Sequence, residues 1–210
     1  MISLSEILHT IAQALMIPCL IILIILMAGA VWQIGDIVVE YIAERRKHKC
    51  NVPQLLRDVH AAGADGLAEL IENSGLLRRQ KKALLELAES RGLPKDTLTA
   101  LAERLLATEE ARNARTTSIT DMIAKLGPMF GLLGTLIPLG PGIVALGQGD
   151  TVTLSESMNV AFDTTIAGVI SAAAARVLSP IRKRWYNDDM VSLETLMEAV
   201  LEEVTSDVEG

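Results

Sequence analysis

Gly131-Leu132-Leu133-Gly134-Thr135-Leu136 and, further along, Ala161-Phe162-Asp163-Thr164-Thr165-Ile166-Ala167-Gly168 set hydroxyls among glycines and alanines inside two long apolar segments. Hydrocarbon offers no water to a threonine, so each hydroxyl bonds back to its own helix, meets a neighbouring helix or lines a wet cavity. What surrounds these two stretches decides the fold.

Hydrophobic residues make up 50% of the 210-residue chain and aromatic ones only 3%. That mixture suits Leu-, Ile- and Ala-rich helices rather than a sandwich or barrel, so the chain reads as an all-α integral membrane protein. From Ile7 to Gly35 there is no Asp, Glu, Lys or Arg, and Leu15 to Trp32 is almost wholly aliphatic, close to the ~20 residues needed to cross a bilayer. No cationic segment precedes this run and the positive charges follow it, at Arg45, Arg46 and Lys47. It is therefore expected to remain as an anchor rather than be cleaved as a signal peptide. Cys19 at membrane depth and Cys50 beyond it are expected to be free thiols. A net charge of -7 argues against nucleic acid as a partner, since phosphate binding wants a basic surface.

The hydropathy and charge pattern divides the chain into a first transmembrane helix at 13–36, a cytoplasmic helical region at 37–118, and a second span at 119–148. A third span at 158–181 and a cytoplasmic amphipathic tail at 182–210 complete it. Within 37–118 the periodicity of Leu55, Leu56 and Val59, and of Leu84, Leu85, Leu87 and Ala88, is helical, with breaks at Gly75, Gly92 and Pro94. Met190, Leu193, Met197, Val200 and Val204 recur at near-helical steps among acidic residues, which predicts a tail that folds back on the helical region. Arg45, Arg46, Lys47 and Lys49 follow the first span; Arg112, Arg115 and Lys125 precede the second; Arg182, Lys183 and Arg184 follow the third. With the N-terminus outside and the C-terminus inside, all these clusters fall on one side.

At about 100° per residue, Pro128, Gly131, Thr135, Pro138 and Gly142 share a face of the second span, with Gly134 beside it, and Ala161, Thr165, Gly168, Ala172 and Ala175 share a face of the third. Small residues at such steps let membrane helices pack closely. Two readings stay open here: plain packing, with each Thr bonded to its own helix, or hydroxyls lining a conduit. Asp163 is either a solvated helix-end charge or part of an ion pathway, and Arg176 reaches toward headgroups, pairs with a neighbouring subunit or belongs to an ion pathway. Asp36 and Glu40 read as solvated helix-end charges. His9, His48 and His60 are dispersed, so no metal site is expected. No phosphate loop, nucleophile elbow or paired-Cys motif is present, and neither catalysis nor a cofactor is implied.

The two quoted stretches resemble the MotA/TolQ/ExbB proton channel family, whose second span carries Gly-Leu-Leu-Gly-Thr-Val and whose third carries Ala-Leu-x-x-Thr-x-x-Gly. The likeness covers about Thr117 to Tyr186, and the order of segments is closest to the ExbB and TolQ branch. That resemblance implies a multi-pass protein of the cytoplasmic membrane, with Thr135 and Thr165, and Thr164 beside it, lining a central pore. It further implies a homo-oligomer, a pentameric ring, around a single-span ExbD/TolR-like partner whose membrane Asp carries the protons. The acidic residue that many members carry five positions before the third-span Thr is Val160 here, and Asp163 stands where the family usually has an aliphatic residue. Threonine oxygens suit sodium as well as protons. The competing expectation is a non-conducting membrane scaffold that packs helices and recruits cytoplasmic partners.

Overall fold

The computed structural model describes residues 4–42 and 51–209; the basic cluster at Arg45 to Lys49 and Cys50 lie outside them. Every element described is a helix: α1 (Leu4–Ala14), α2 (Met16–Glu40), α3 (Val52–Asn73), α4 (Arg78–Glu89), α5 (Lys95–Gly147) and α6 (Thr151–Glu209). Three stretches, Glu6–Glu40, Lys95–Gly147 and Thr151–Ser206, contain windows long and apolar enough to cross a membrane. The 53 residues of α5 are well over the ~20 needed to cross a hydrocarbon core. The second span is thus one part of a longer helix, and the 59-residue α6 contains the third in the same way.

Contacts divide the chain into two compact units, the first made of residues up to Asp36 with Thr117–Ile181. Here Cys19, Leu23, Leu26, Ala30 and Gln33 of α2 form one buried stripe at steps of three and four. Leu26 and Ala30 pack with Ile123 and Ala124 of α5 and Ala175 of α6. The other faces of α2, including Ile17, Ile21, Ile24, Ile25 and Trp32, are exposed, as lipid-facing positions of a span are. Cys19 is free and buried, and its thiol donates to the Phe130 carbonyl at 3.5 Å.

The second unit comprises Ile37–Thr116 and Arg182–Gly210. Its core gathers Val59, Leu67 and Ile71 from α3, Leu84 and Leu87 from α4, and Leu98 and Ala102 from α5. Leu193, Leu196, Met197, Val200 and Val204 from the end of α6 complete it. The apolar periodicity of the tail thus packs against α3, α4 and the start of α5. Gln80, 7% exposed, accepts from the Leu77 N–H and donates to the Asp189 carbonyl at 3.0 Å, so a buried amide joins α4 to α6. Glu203 Oε1 lies 2.7 Å from His60 Nδ1. Gly63, at φ 62 and ψ -179, breaks α3 with a backbone angle that a Cβ would oppose.

Only three residues separate α5 from α6, and they turn the chain through Gly149 at φ 77. Asp150 then caps α6: its carboxylate accepts from the N–H groups of Val152 at 3.2 Å and Thr153 at 3.1 Å and from the Thr153 hydroxyl at 2.6 Å. The hydroxyl first, then the backbone donors, hold this carboxyl below its ordinary pKa, because each favours the ionised form. A lowered native pKa makes the cap's contribution full above the unfolded value and lost as pH falls through the native one. Asp150→Ala is expected to speed amide hydrogen exchange at Val152 and Thr153 severalfold at neutral pH. The gap from wild type should close at acid pH, read by exchange mass spectrometry against intrinsic rates.

Candidate functional site

The centre of the first unit is the seam between α5 and α6. Its register is antiparallel. A Cβ placed on Gly127 would meet Gly168 O at 2.7 Å and Ala172 Cβ at 3.0 Å, and one on Gly131 would meet Gly168 Cα at 3.4 Å. One on Gly134 would meet Thr164 Cβ at 2.6 Å, and one on Gly142 would meet Ser157 Cβ at 3.1 Å. Reciprocally, a Cβ on Gly168 would stand 2.6 Å from Gly127 O and 2.8 Å from Gly131 Cα. The two backbones touch where neither residue has a side chain, the geometry by which small residues join membrane helices.

The buried line on α5 is Gly127, Gly131, Gly134, Pro138, Gly142 and Ala145; on α6 it is Ala161, Thr164, Gly168, Ala172 and Ala175. Gly131, Gly134, Pro138, Gly142, Ala161, Gly168 and Ala172 are among these buried positions. Gly127, which the sequence reading passed over in favour of the exposed Pro128, lies there too.

Thr164 takes a different place from the one expected for it. Instead of lining an open face with Thr165, it is 5% exposed and fills the space beside Gly134. Its hydroxyl donates within α6, to the Val160 and Ala161 carbonyls, both at 2.9 Å. The reason is rotation about the helix: adjacent residues point about 100° apart, and the seam takes Thr164.

Thr135 and Thr165 are half-buried, on the flank of the seam rather than within it. The register that sets Gly131 against Gly168 and Gly134 against Thr164 brings both to one level along the helix pair. Thr135 donates to Leu132 O at 2.7 Å and Thr165 to Ala161 O at 2.9 Å. Each hydroxyl oxygen keeps acceptor capacity toward whatever covers that flank. Asp163 and Arg176 are exposed.

Two polar contacts escaped the sequence reading. Thr120, fully buried, donates to Gln33 Oε1, itself on a residue 6% exposed, and so joins α5 to α2. Next to it along α5, the Asp121 carboxylate accepts from the hydroxyl of Ser179 of α6 at 2.5 Å, and Ser179 is 5% exposed. The available signal was Gln33 interrupting an apolar run, and Thr120-Asp121 at the start of the second span. Among the described residues no cluster of His, Cys, Asp or Glu is arranged to hold a metal ion.

Gly168→Ala is expected to force the two backbones apart and lower unfolding stability by about 1–3 kcal/mol. Gly35→Ala, whose Cβ would meet nothing within 4 Å, should leave it level or slightly raised. Denaturant titration of the purified protein in detergent checks both.

Among known proteins, the model of the family described as the MotA/TolQ/ExbB proton channel family matches residues 70–195, a range that contains the whole seam and both flanking threonines. No curated protein matches the chain at a significant level.

Proposed function

Because the chain belongs to the MotA/TolQ/ExbB proton channel family, we propose that it is the ring-forming subunit of an energy-transducing, stator-like channel driven by ion motive force. The complex sits in the cytoplasmic membrane, with the N-terminus outside and α3, α4 and the end of α6 in the cytoplasm. Several copies, five by resemblance, surround an ExbD/TolR-like partner with one membrane span, whose Asp carries the protons. The family is one of proton channels and not a family of enzymes, which supports reading the chain as a channel component.

The observation that carries the reading is the contrast between adjacent residues. Thr164 fills the seam within the chain, while Thr165 and Thr135 stand half-buried at one level on its flank. A hydroxyl both donates and accepts, so it relays protons through water or ligates a small cation without fixing a permanent charge. In the ring, Thr135 and Thr165 face the shared axial conduit.

A second reading, the non-conducting scaffold, is favoured by one observation: Thr135, Thr164 and Thr165 all donate to carbonyls of their own helices, as threonines do when they serve packing alone. Flux separates the two. Thr135→Val together with Thr165→Val keeps the side-chain shape and removes both hydroxyls. It is expected to cut gradient-driven flux through vesicles containing the full complex at least tenfold, with oligomer size unchanged. Unaltered flux overturns the pore assignment, and absence of flux in the wild-type complex supports the scaffold.

A further inference from the structure

Arg176 sets an exposed positive charge on the third span. Among the described residues no carboxylate forms an ion pair with it and no acceptor takes a hydrogen bond from its guanidinium. Such a group at the depth of a span is costly unless it meets water, a headgroup or a counter-charge. Thr165 fixes where it points. The two stand eleven residues apart on α6, which is three helical turns and about 20°, and the helix's proline, Pro180, lies beyond both. Arg176 therefore shares the flank of the seam that holds Thr165, about 16 Å nearer the inner end, with the exposed Val169 between them. One uninterrupted helix cannot turn Thr165 to the conduit and Arg176 to lipid, so the channel reading carries both inward.

A ring of identical chains supplies no counter-charge. Rotation about the membrane normal keeps every copy at the same height. Asp163, thirteen residues from Arg176 on the same helix, is displaced by about 20 Å along the axis and stays out of reach in any copy. The register that sets Gly131 against Gly168 puts Asp121 opposite Leu178, close to the height of Arg176, but that carboxylate is held by Ser179 and has a further interaction within the chain. Asp36, a turn past Gln33 on α2, is engaged within the chain as well. The exposed charge opposite Ala174 in the same register is Lys125, again positive. The counter-charge at this height therefore has to come from a different molecule.

We propose that Arg176 lines the inner part of the conduit as a cationic collar, one guanidinium from each copy, and receives a carboxylate of the single-span partner. This carboxylate lies on the cytoplasmic side of the one that meets the threonines. A guanidinium takes a carboxylate through two parallel N–H donors, a short and strong pairing where water is scarce, and a ring of such groups favours an anion on the axis. The proposal rests on the channel reading above and deepens it with a contact that this chain makes to the partner.

Two measurements test it. For position, Arg176→Cys in a chain carrying Cys19→Ala and Cys50→Ala is expressed without the partner and treated from the cytoplasmic side with an anionic, membrane-impermeant thiol reagent. It is expected to react at least tenfold faster than Val177→Cys, about 100° round the helix; equally slow reaction at both overturns the conduit position. For the contact, the single-span protein identified by mass spectrometry in the purified wild-type complex is quantified per oligomer in each variant. Arg176→Glu is expected to lower it at least tenfold with oligomer size unchanged, and Arg176→Lys to keep it within threefold. Retention within twofold in Arg176→Glu overturns the contact, and loss of anionic lipid in its place assigns Arg176 to headgroups. If Arg176→Glu does not assemble, Arg176→Gln decides: a loss of threefold or more upholds the contact, and a smaller one overturns it. Should the Thr135/Thr165 valine pair stop flux while Arg176→Glu keeps the partner, this contact alone fails. If the valine pair conducts as wild type and no single-span protein accompanies the wild-type oligomer, the channel reading fails with it.

Discussion

Two helices in hydrocarbon gain nothing by shedding water against each other, because lipid tails are as apolar as leucine; they hold together through close packing and the hydrogen bonds they share. In this chain that constraint falls on a few atoms of Gly127, Gly131 and Gly168, where the backbones of α5 and α6 meet. The absence of side chains there fixes the distance between the helices, and the distance fixes the register. The register in turn buries Thr164 beside Gly134 and leaves Thr135 and Thr165 level on the flank.

The second unit is built by the opposite rule. Its core of Leu, Ile, Val and Met is expelled from water, and burial there works through area removed from solvent. Its polar contacts range from exposed to buried. His60 and Glu203 meet with His60 half exposed, a setting in which an ion pair contributes little. Glu40 behaves differently from the solvated helix-end charge that its position suggests: its Oε2 lies 3.7 Å from Nε of Arg182, a residue 2% exposed, and 3.5 Å from the Tyr186 hydroxyl.

Sequence made the architecture readable because hydropathy and periodicity are local quantities. The uncharged run from Ile7 to Gly35 needs no partner to be recognised. Leu193, Met197, Val200 and Val204 announce a buried face by spacing alone, and all four lie in the core of the second unit. Other features depend on rotation about a helix axis relative to a neighbour, which spacing does not encode. Stepping back from Gly131 by three or four residues offers Pro128 or Gly127 equally, and the structure buries Gly127. Thr164 and Thr165 stand side by side in a small-residue stretch, so only the position of α5 tells them apart. The pairs Gln33 with Thr120 and Asp121 with Ser179 join residues 87 and 58 positions apart, beyond the reach of any local pattern. The resemblance supplied the threonine positions, and geometry divided them.

The connection between Gly147 and Thr151 is only three residues long. A turn through Gly149 and the Asp150 cap folds α6 back onto α5 of the same chain, where the glycine contacts close the hairpin. In any closed symmetric assembly of such hairpins, every copy then supplies Thr135 and Thr165 in equal number and at equal height. A circle of identical hairpins presents its hydroxyls as one annulus instead of a staggered ladder, so a single altered codon changes every position around it at once.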